Sequence, residues 1–219
     1  MLQRLRLLLR NYRLKKRQRY ALKIAGKIDE NVSIISSNCL GGIIYHDLGL
    51  KFLSPTINLT FSMEDFLYFA EHLNELNECT LIRDETKNAK YPMGYLKYPN
   101  GNNIKIQFVH YSTFDDAKEK FLNRLNRIKY EKIVLLFCAA ELKQDIAIRF
   151  SKIPAYKKLC IYKTFSGNFD LKEIVDCDFL QLFAKVPKNK DLLNFKGAFS
   201  RKLYIDDSKF DYYSYIFKN

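Results

Sequence analysis

Apolar and polar positions along this chain repeat with two different periods, and the switches between them mark its elements. The run VSIIS (32–36) is short, β-branched and apolar, and it stops at Ser37 and Asn38, which favour a turn, so it predicts a strand. SMEDFLYFAEHLNEL (62–76) instead repeats at helical spacing. It places Phe66, Phe69, Ala70, Leu73 and Leu76 on one face, with Ser62 and Asp65 in capping-box positions. Residues 77–103 are polar and rich in Pro and Gly, ending in PNGNN, and predict a loop and hairpin. NIKIQFVHY then alternates, which predicts a strand over 103–111 with Ile104, Ile106, Phe108 and His110 pointing inward.

A second helix is predicted over 112–128, capped by Ser112 or Thr113 with Asp115 or Asp116 three residues on. Its apolar stripe is Phe114, Ala117, Phe121, Leu125 and Ile128. KIVLLFCAA (132–140) is apolar without alternation, as a central strand covered on both faces must be. A helix near 141–152 and a strand over KLCIYKTF (158–165) continue the alternation. These elements predict an α/β fold: a three-layer sandwich around a largely parallel central sheet. A basic amphipathic helix precedes it, so the chain divides into an arm, 1–28, and a single α/β domain, 29–219.

Charge changes this picture in one place. The net charge of +13 on 219 residues would suggest a nucleic-acid binder if it were evenly spread. Residues 1–28 hold ten basic residues and no acid, whereas the remainder carries 27 basic against 24 acidic residues. The charge therefore belongs to the arm. On a helix Leu2, Leu5, Leu9 and Tyr12 fall on one stripe flanked by arginines, too interrupted by charge to span a bilayer and without a signal peptide's uncharged core. Such a helix can lie on an anionic membrane, each nearby Lys or Arg contributing about 1 kcal/mol, or pack its leucines on the body or on a second subunit. Nucleic acid is disfavoured because no aromatic-rich RNA-recognition motif accompanies the charge. The expected location is the cytoplasm, with peripheral contact at the inner membrane face.

Five cysteines, an odd number with no CxxC pair, suit reduced thiols, and three histidines without HExxH spacing give no metal site; no cofactor is expected. In parallel α/β sheets, sites lie at the carboxyl ends of strands. Cys39 follows the strand 32–36 and His110 closes the strand 103–111, so parallel neighbours would bring a nucleophile and a base together. Gly41 and Gly42 would then allow a tight turn with positive φ and turn backbone N–H groups toward an oxyanion. Around this pair the candidate substrate-binding residues are Asn38, Gly41, Gly42, Tyr45, Ser54, Thr56, Asn58, Tyr111, Arg124 and Arg127. Arg124 and Arg127 would meet an anionic group. Each has a plainer reading: a buried cysteine as a small hydrophobe, LSPTINL as a structural turn, and the arginines in ion pairs with Glu119, Asp116 or Glu131.

ISSNCLGGIIYHDLGLKFLSPTINLTFSMEDFLYF, then YPMGYL (91–96) and FVHYSTFDDAKEKFLNRLNRI (108–128), resemble in order and spacing a bacterial family known as domain of unknown function nineteen-nineteen. Its members are commonly labelled exopolysaccharide-biosynthesis proteins. The likeness covers roughly residues 30–165. Members often carry tryptophan where this chain has Leu40 and Phe121, a departure that keeps both positions apolar. A fainter likeness joins the same blocks to a family described as papain-like cysteine peptidases, which implies the pairing of Cys39 with His110. The resemblance implies work on a glycan or lipid-linked saccharide in making a surface polysaccharide. The expected enzyme is an acyl-type transferase with a cysteine nucleophile; the rivals are a glycosyl or phosphoglycosyl transferase and a non-catalytic glycan- or partner-binding component.

Overall fold

The computed structural model describes residues 2–25, 28–86, 89–182 and 210–218. The fold is α/β. A central sheet of four strands, β1 (Ser33–Ser36), β5 (Ile133–Lys143), β6 (Lys157–Ser166) and β7 (Asp178–Gln181), runs in the order β1-β5-β6-β7 with every pairing parallel. A second, antiparallel sheet contains β2 (Thr80–Arg83), β3 (Met93–Lys97) and β4 (Asn103–Gln107).

The parallel sheet is covered on both faces, which is why its strands lack alternation in sequence. Ile34, Val134, Leu136, Cys138, Leu159 and Ile161 face helices α2 (Leu40–Leu48) and α6 (Tyr212–Phe217). Ile35, Leu135, Phe137, Ala139 and Cys160 face the other way, into a larger core. That core is built by α3 (Met63–Glu71), α4 (Phe114–Leu125), α5 (Gln144–Ser151) and the inner face of the antiparallel sheet. Phe66 of α3 stacks flat on Phe137 of β5, with ring centroids 5.6 Å apart.

Both predicted caps form. The Ser62 hydroxyl accepts from the Asp65 N–H at 3.1 Å and donates to the Asp65 carboxylate at 2.7 Å, and Thr113 accepts from the Asp116 N–H at 3.2 Å. The PNGNN turn joins β3 to β4, with Gly101 at φ +88°, a value only glycine adopts cheaply.

The expected strand 103–111 is corrected. Met93, the first residue of β3, pairs with Gln107, so the ladder runs out there. Phe108 is still buried, but the Tyr111 N–H bonds back to the Phe108 carbonyl and closes a turn that leaves His110 exposed. This strand lies in the antiparallel sheet and is no neighbour of β1. Residues 77–103 hold β2 and β3 as well as loops, and β7 had no counterpart among the predicted strands.

The arm is a 24-residue helix, α1 (Leu2–Ala25), that packs against α2. Near its end Tyr20 donates to the Asp211 carboxylate and meets the Tyr213 ring, centroids 5.6 Å apart. Toward its start Leu5, Leu8 and Tyr12 are exposed and Leu9 is half-buried; the side chain of Leu2 lies outside those described. No helix among the described residues is long and apolar enough to cross a membrane.

Candidate functional site

Where β1 ends, Ser37 ties three segments together. Its N–H donates to the Leu136 carbonyl at 3.0 Å, its hydroxyl accepts from the Cys138 N–H at 3.0 Å, and its carbonyl accepts from the Phe61 N–H at 3.2 Å. The chain then turns on Asn38, whose side-chain oxygen accepts from the Leu40 N–H at 2.7 Å. Cys39 is the residue that caps α2, and its carbonyl receives the first helical bond, from Ile43 at 3.1 Å. Its half-buried thiol faces the Leu59 carbonyl at 4.0 Å.

Asn38 has a second feature. Its side-chain Nδ2 is enclosed and has no hydrogen-bond partner among the described residues, and the same holds for Ser36 Oγ two residues earlier. An unmatched buried polar atom costs about 1–3 kcal/mol. Two of them cluster beside Cys39.

The segment LSPTINL crosses this strand end. Ser54 and Thr56 are fully buried: their hydroxyls bond each other at 2.9 Å, and Thr56 Oγ1 accepts from the Ser36 N–H at 3.0 Å. They pin the loop to β1, which places them in the frame of the site; Asn58 makes the turn itself, at φ +64°. Tyr45 is also a framework residue, because its buried hydroxyl donates to the Val32 carbonyl at 2.7 Å and accepts from the Ile34 N–H at 3.0 Å. Burial raises its pKa further above the ordinary tyrosine value.

Gly41 and Gly42 are corrected as well. Both lie inside α2 with helical backbone, and neither has positive φ. Their smallness is what matters. A Cβ on Gly41 would meet Ile34 Cγ2 at 3.0 Å and Ser36 Cβ at 3.2 Å, and one on Gly42 would meet Ile57 Cγ2 at 3.2 Å. The glycines let α2 lie close against β1 and the loop, so that Cys39 is held at the strand end.

The loop also links the two sheets. Thr60 pairs with Gln107, and the Ile57 carbonyl accepts from the Tyr111 hydroxyl at 3.3 Å. His110 therefore sits in a turn fastened on both sides, at Gln107 and Tyr111, to the loop that passes Cys39. The turn of an antiparallel sheet, rather than a parallel neighbour of β1, brings it to this side. Tyr111 in turn accepts from Arg124 Nη1 at 2.6 Å, and the Arg124 guanidinium lies 5.2 Å from the centroid of the Phe52 ring. Arg127 is half-buried one turn beyond.

Three of the other four thiols differ in kind. Cys79 donates to the Glu75 carbonyl, and burial with Glu75 and Glu78 nearby pushes its pKa up to about 11. Burial pushes Cys177 up to about 12 and raises Cys160 strongly. His46 and Asp47 sit at the far end of α2, where the buried Asp47 accepts from the Tyr213 hydroxyl at 3.1 Å.

The family model for a domain of unknown function, DUF1919, matches residues 10–217 of this chain, nearly all of it. The chain belongs to the DUF1919 family. The match takes in most of the arm helix as well as the sandwich, extending well beyond the three sequence blocks around Cys39 and His110. An uncharacterized protein of Haemophilus influenzae is 28% identical over 206 residues, covering 90% of this chain and 91% of that protein.

Proposed function

We propose that this DUF1919 protein is an enzyme of surface-polysaccharide biosynthesis that transfers an acyl-type group to a glycan, with Cys39 as nucleophile. The observation that carries this reading is the position of Cys39. It caps α2 at the carboxyl end of a strand in a parallel sheet, half-exposed, where the first-turn N–H groups and the helix dipole favour a thiolate and a developing oxyanion. The other thiols with raised pKa values are poorer nucleophiles at neutral pH. His110, exposed on the turn fastened to the same loop, is the candidate base. The thioester divides one hard transfer into two easier steps. The glycan as acceptor comes from the sequence resemblance and from nothing in the geometry.

The arm supports work on a lipid-linked saccharide. Leu5, Leu7, Leu8 and Tyr12 are each more than half exposed, and Arg4, Lys15, Lys16 and Arg19 are exposed among them. Apolar side chains standing free beside cations suit an anionic membrane surface. Tyr20 and α2 hold the other half of the helix to the body, so α1 would present the body to the membrane at a fixed distance.

The test replaces Cys39 with Ser and His110 with Ala in cells, reading polymer composition, with circular dichroism for fold. Folded variants that lose one substituent of the polymer support acyl transfer. Loss of chain extension supports glycosyl transfer instead, and full activity in both removes the cysteine mechanism. For the arm, L5S/L8S/Y12S keeps the Tyr20 contact and should abolish sedimentation with phosphatidylserine vesicles. Unchanged sedimentation would leave α1 as a subunit or domain contact.

A further inference from the structure

Two arginines of the body are matched to acids. Arg83 makes two bonds of 2.9 Å to Asp115, and Arg149 reaches Glu71 at 2.7 Å and Glu64 at 2.6 Å. Arg124 is different. It is half-buried, yet it meets no carboxylate among the described residues; the acids at the start of its helix, Asp115 and Asp116, lie two turns away and pair with Arg83 at 2.9 Å and Lys120 at 2.7 Å. The guanidinium is nonetheless held. One N–H is fixed on Tyr111, whose hydroxyl is itself fixed on the Ile57 carbonyl, and one face lies over Phe52. Immobilising a long cationic side chain costs entropy and desolvation, and here no ion pair offsets them. The remaining Nε and Nη2 donors form the fork that matches a carboxylate or phosphate.

Two routes tie this fork to Cys39. Ile57, which anchors Tyr111, is two residues from Leu59, whose carbonyl the thiol faces. Phe52, under the guanidinium, packs edge-on against Tyr45 of α2 with centroids 5.9 Å apart, and Cys39 caps that helix. Lys120 adds a cation 5.6 Å from the Tyr111 ring centroid.

We infer that Arg124, Tyr111 and Phe52 form a seat for an anionic group, phosphate or carboxylate, on the saccharide that reacts at Cys39. The inference rests on the reading of Cys39 as nucleophile for its second half only; the seat itself needs no chemistry at the thiol. An acidic sugar or sugar phosphate binds there, with the charge on Arg124 and the sugar extending along the 57–59 loop toward α2.

The experiment separates the two halves. First, pyrophosphate binding is measured by titration calorimetry on the full chain carrying Cys39→Ser, which leaves the seat intact. Arg124→Gln should weaken it about tenfold or more, the worth of a charge-assisted pair, while Arg124→Lys restores part of the loss. Equal affinity in all three, or no binding to the Cys39→Ser chain, overturns the seat whatever Cys39 does. Second, iodoacetamide labelling of Cys39 in the wild-type chain is timed with glucose 1-phosphate, glucuronic acid or glucose present. Protection by the phosphate alone identifies a sugar phosphate, and protection by the uronic acid alone identifies an acidic sugar. Equal protection by all three, or by none, separates the seat from the thiol. A Cys39 that does not label at all counts against the nucleophile and leaves the calorimetry to judge the seat. Melting temperatures within a few degrees of wild type show that the variants are folded.

Discussion

The two ends of the parallel sheet carry different kinds of polar group. At the amino end a hollow of about 1100 Å³ opens between the end of α5, the starts of β6 and β7, and α6. Its polar groups are matched with one another. Lys157 Nζ donates to the Tyr215 and Lys218 carbonyls at 2.8 and 2.6 Å, Lys158 Nζ to the Ser151 carbonyl, and Tyr215 bonds both the Lys158 carbonyl and Asp178. These lysines cap the carboxyl ends of α5 and α6, where cations are favoured. At the carboxyl end, among the described residues, Asn38 Nδ2 and Ser36 Oγ lack partners and Arg124 lacks an acid. Matched polar groups mark one end and unmatched chemistry the other. A fold tolerates such unmatched groups at a cost in stability, so their clustering beside Cys39 is the better guide to function.

The largest effect that would break this comparison is thiol reactivity. A thiol with a pKa of about 11 is roughly one part in a thousand thiolate at pH 8. Iodoacetamide at that pH should therefore modify Cys39 first and Cys79, Cys160 and Cys177 on the order of a hundredfold more slowly. The sign of the pH dependence follows. Labelling of Cys79 should keep rising up to about pH 11. Peptide mass spectrometry reads both, and equal labelling of Cys39 and Cys79 at pH 8 would remove the distinction.

Next in size is the packing that holds Cys39 in place. Gly41→Ala puts a Cβ against Ile34 and Ser36, close enough that the strand or the helix must shift. A loss of about 1–3 kcal/mol is expected, with slower Cys39 labelling as α2 moves away from β1. Gly49, the left-handed residue that ends α2, has open space around it, so Gly49→Ala should destabilise through backbone strain, by about 1 kcal/mol, without changing the labelling rate.

The glycines also show what was legible in sequence and what was not. Capping boxes and periodicity are local signals, so α3 and α4 could be read from Ser62, Asp65 and Thr113 with their apolar stripes. The unalternating run at 132–140 gave the central strand for the same reason, since a strand covered twice must be apolar throughout. The position of Cys39 at a strand end was equally local. Three things were not. Alternation continues through His110 in sequence, but its strand stops at Gln107 because β3 stops opposite it. A pair of glycines looks like a turn until the close approach of β1 is known. Arg124 could be named as a candidate, yet its lack of an acid among the described residues and its tie to Tyr111, which comes from another segment, show only in three dimensions.

At the amino end the expected effects are structural only. Lys157→Met keeps the stem and removes two charge-assisted bonds to the last turn of α6, so a loss of about 1–2 kcal/mol is expected in urea unfolding. The rate of Cys39 labelling should stay at the wild-type value. If Lys157→Met instead abolishes polymer synthesis while the protein remains folded, the hollow is a site in its own right and the comparison of the two ends is reversed.

The smallest effect runs the other way. Ser36 is fully enclosed and its hydroxyl has no partner among the described residues, while its N–H is already taken by Thr56 and its side chain lies beside Gly41. Ser36→Ala removes an unmatched buried hydroxyl and leaves those packing contacts in place. Relief of the desolvation cost, reduced by the small void left behind, should stabilise the protein by up to about 1 kcal/mol, a rise of about 2–4 °C in Tm for a domain of this size. Substitution of a buried serine in an ordinary, matched position would do the reverse. A stabilised Ser36→Ala that also labels more slowly at Cys39 would mean that the unmatched hydroxyl is kept for function. A stabilised variant with unchanged labelling would assign the cost to packing alone, and a destabilised one would mean that Ser36 has a partner in solution and that the carboxyl end is better matched than its geometry indicates.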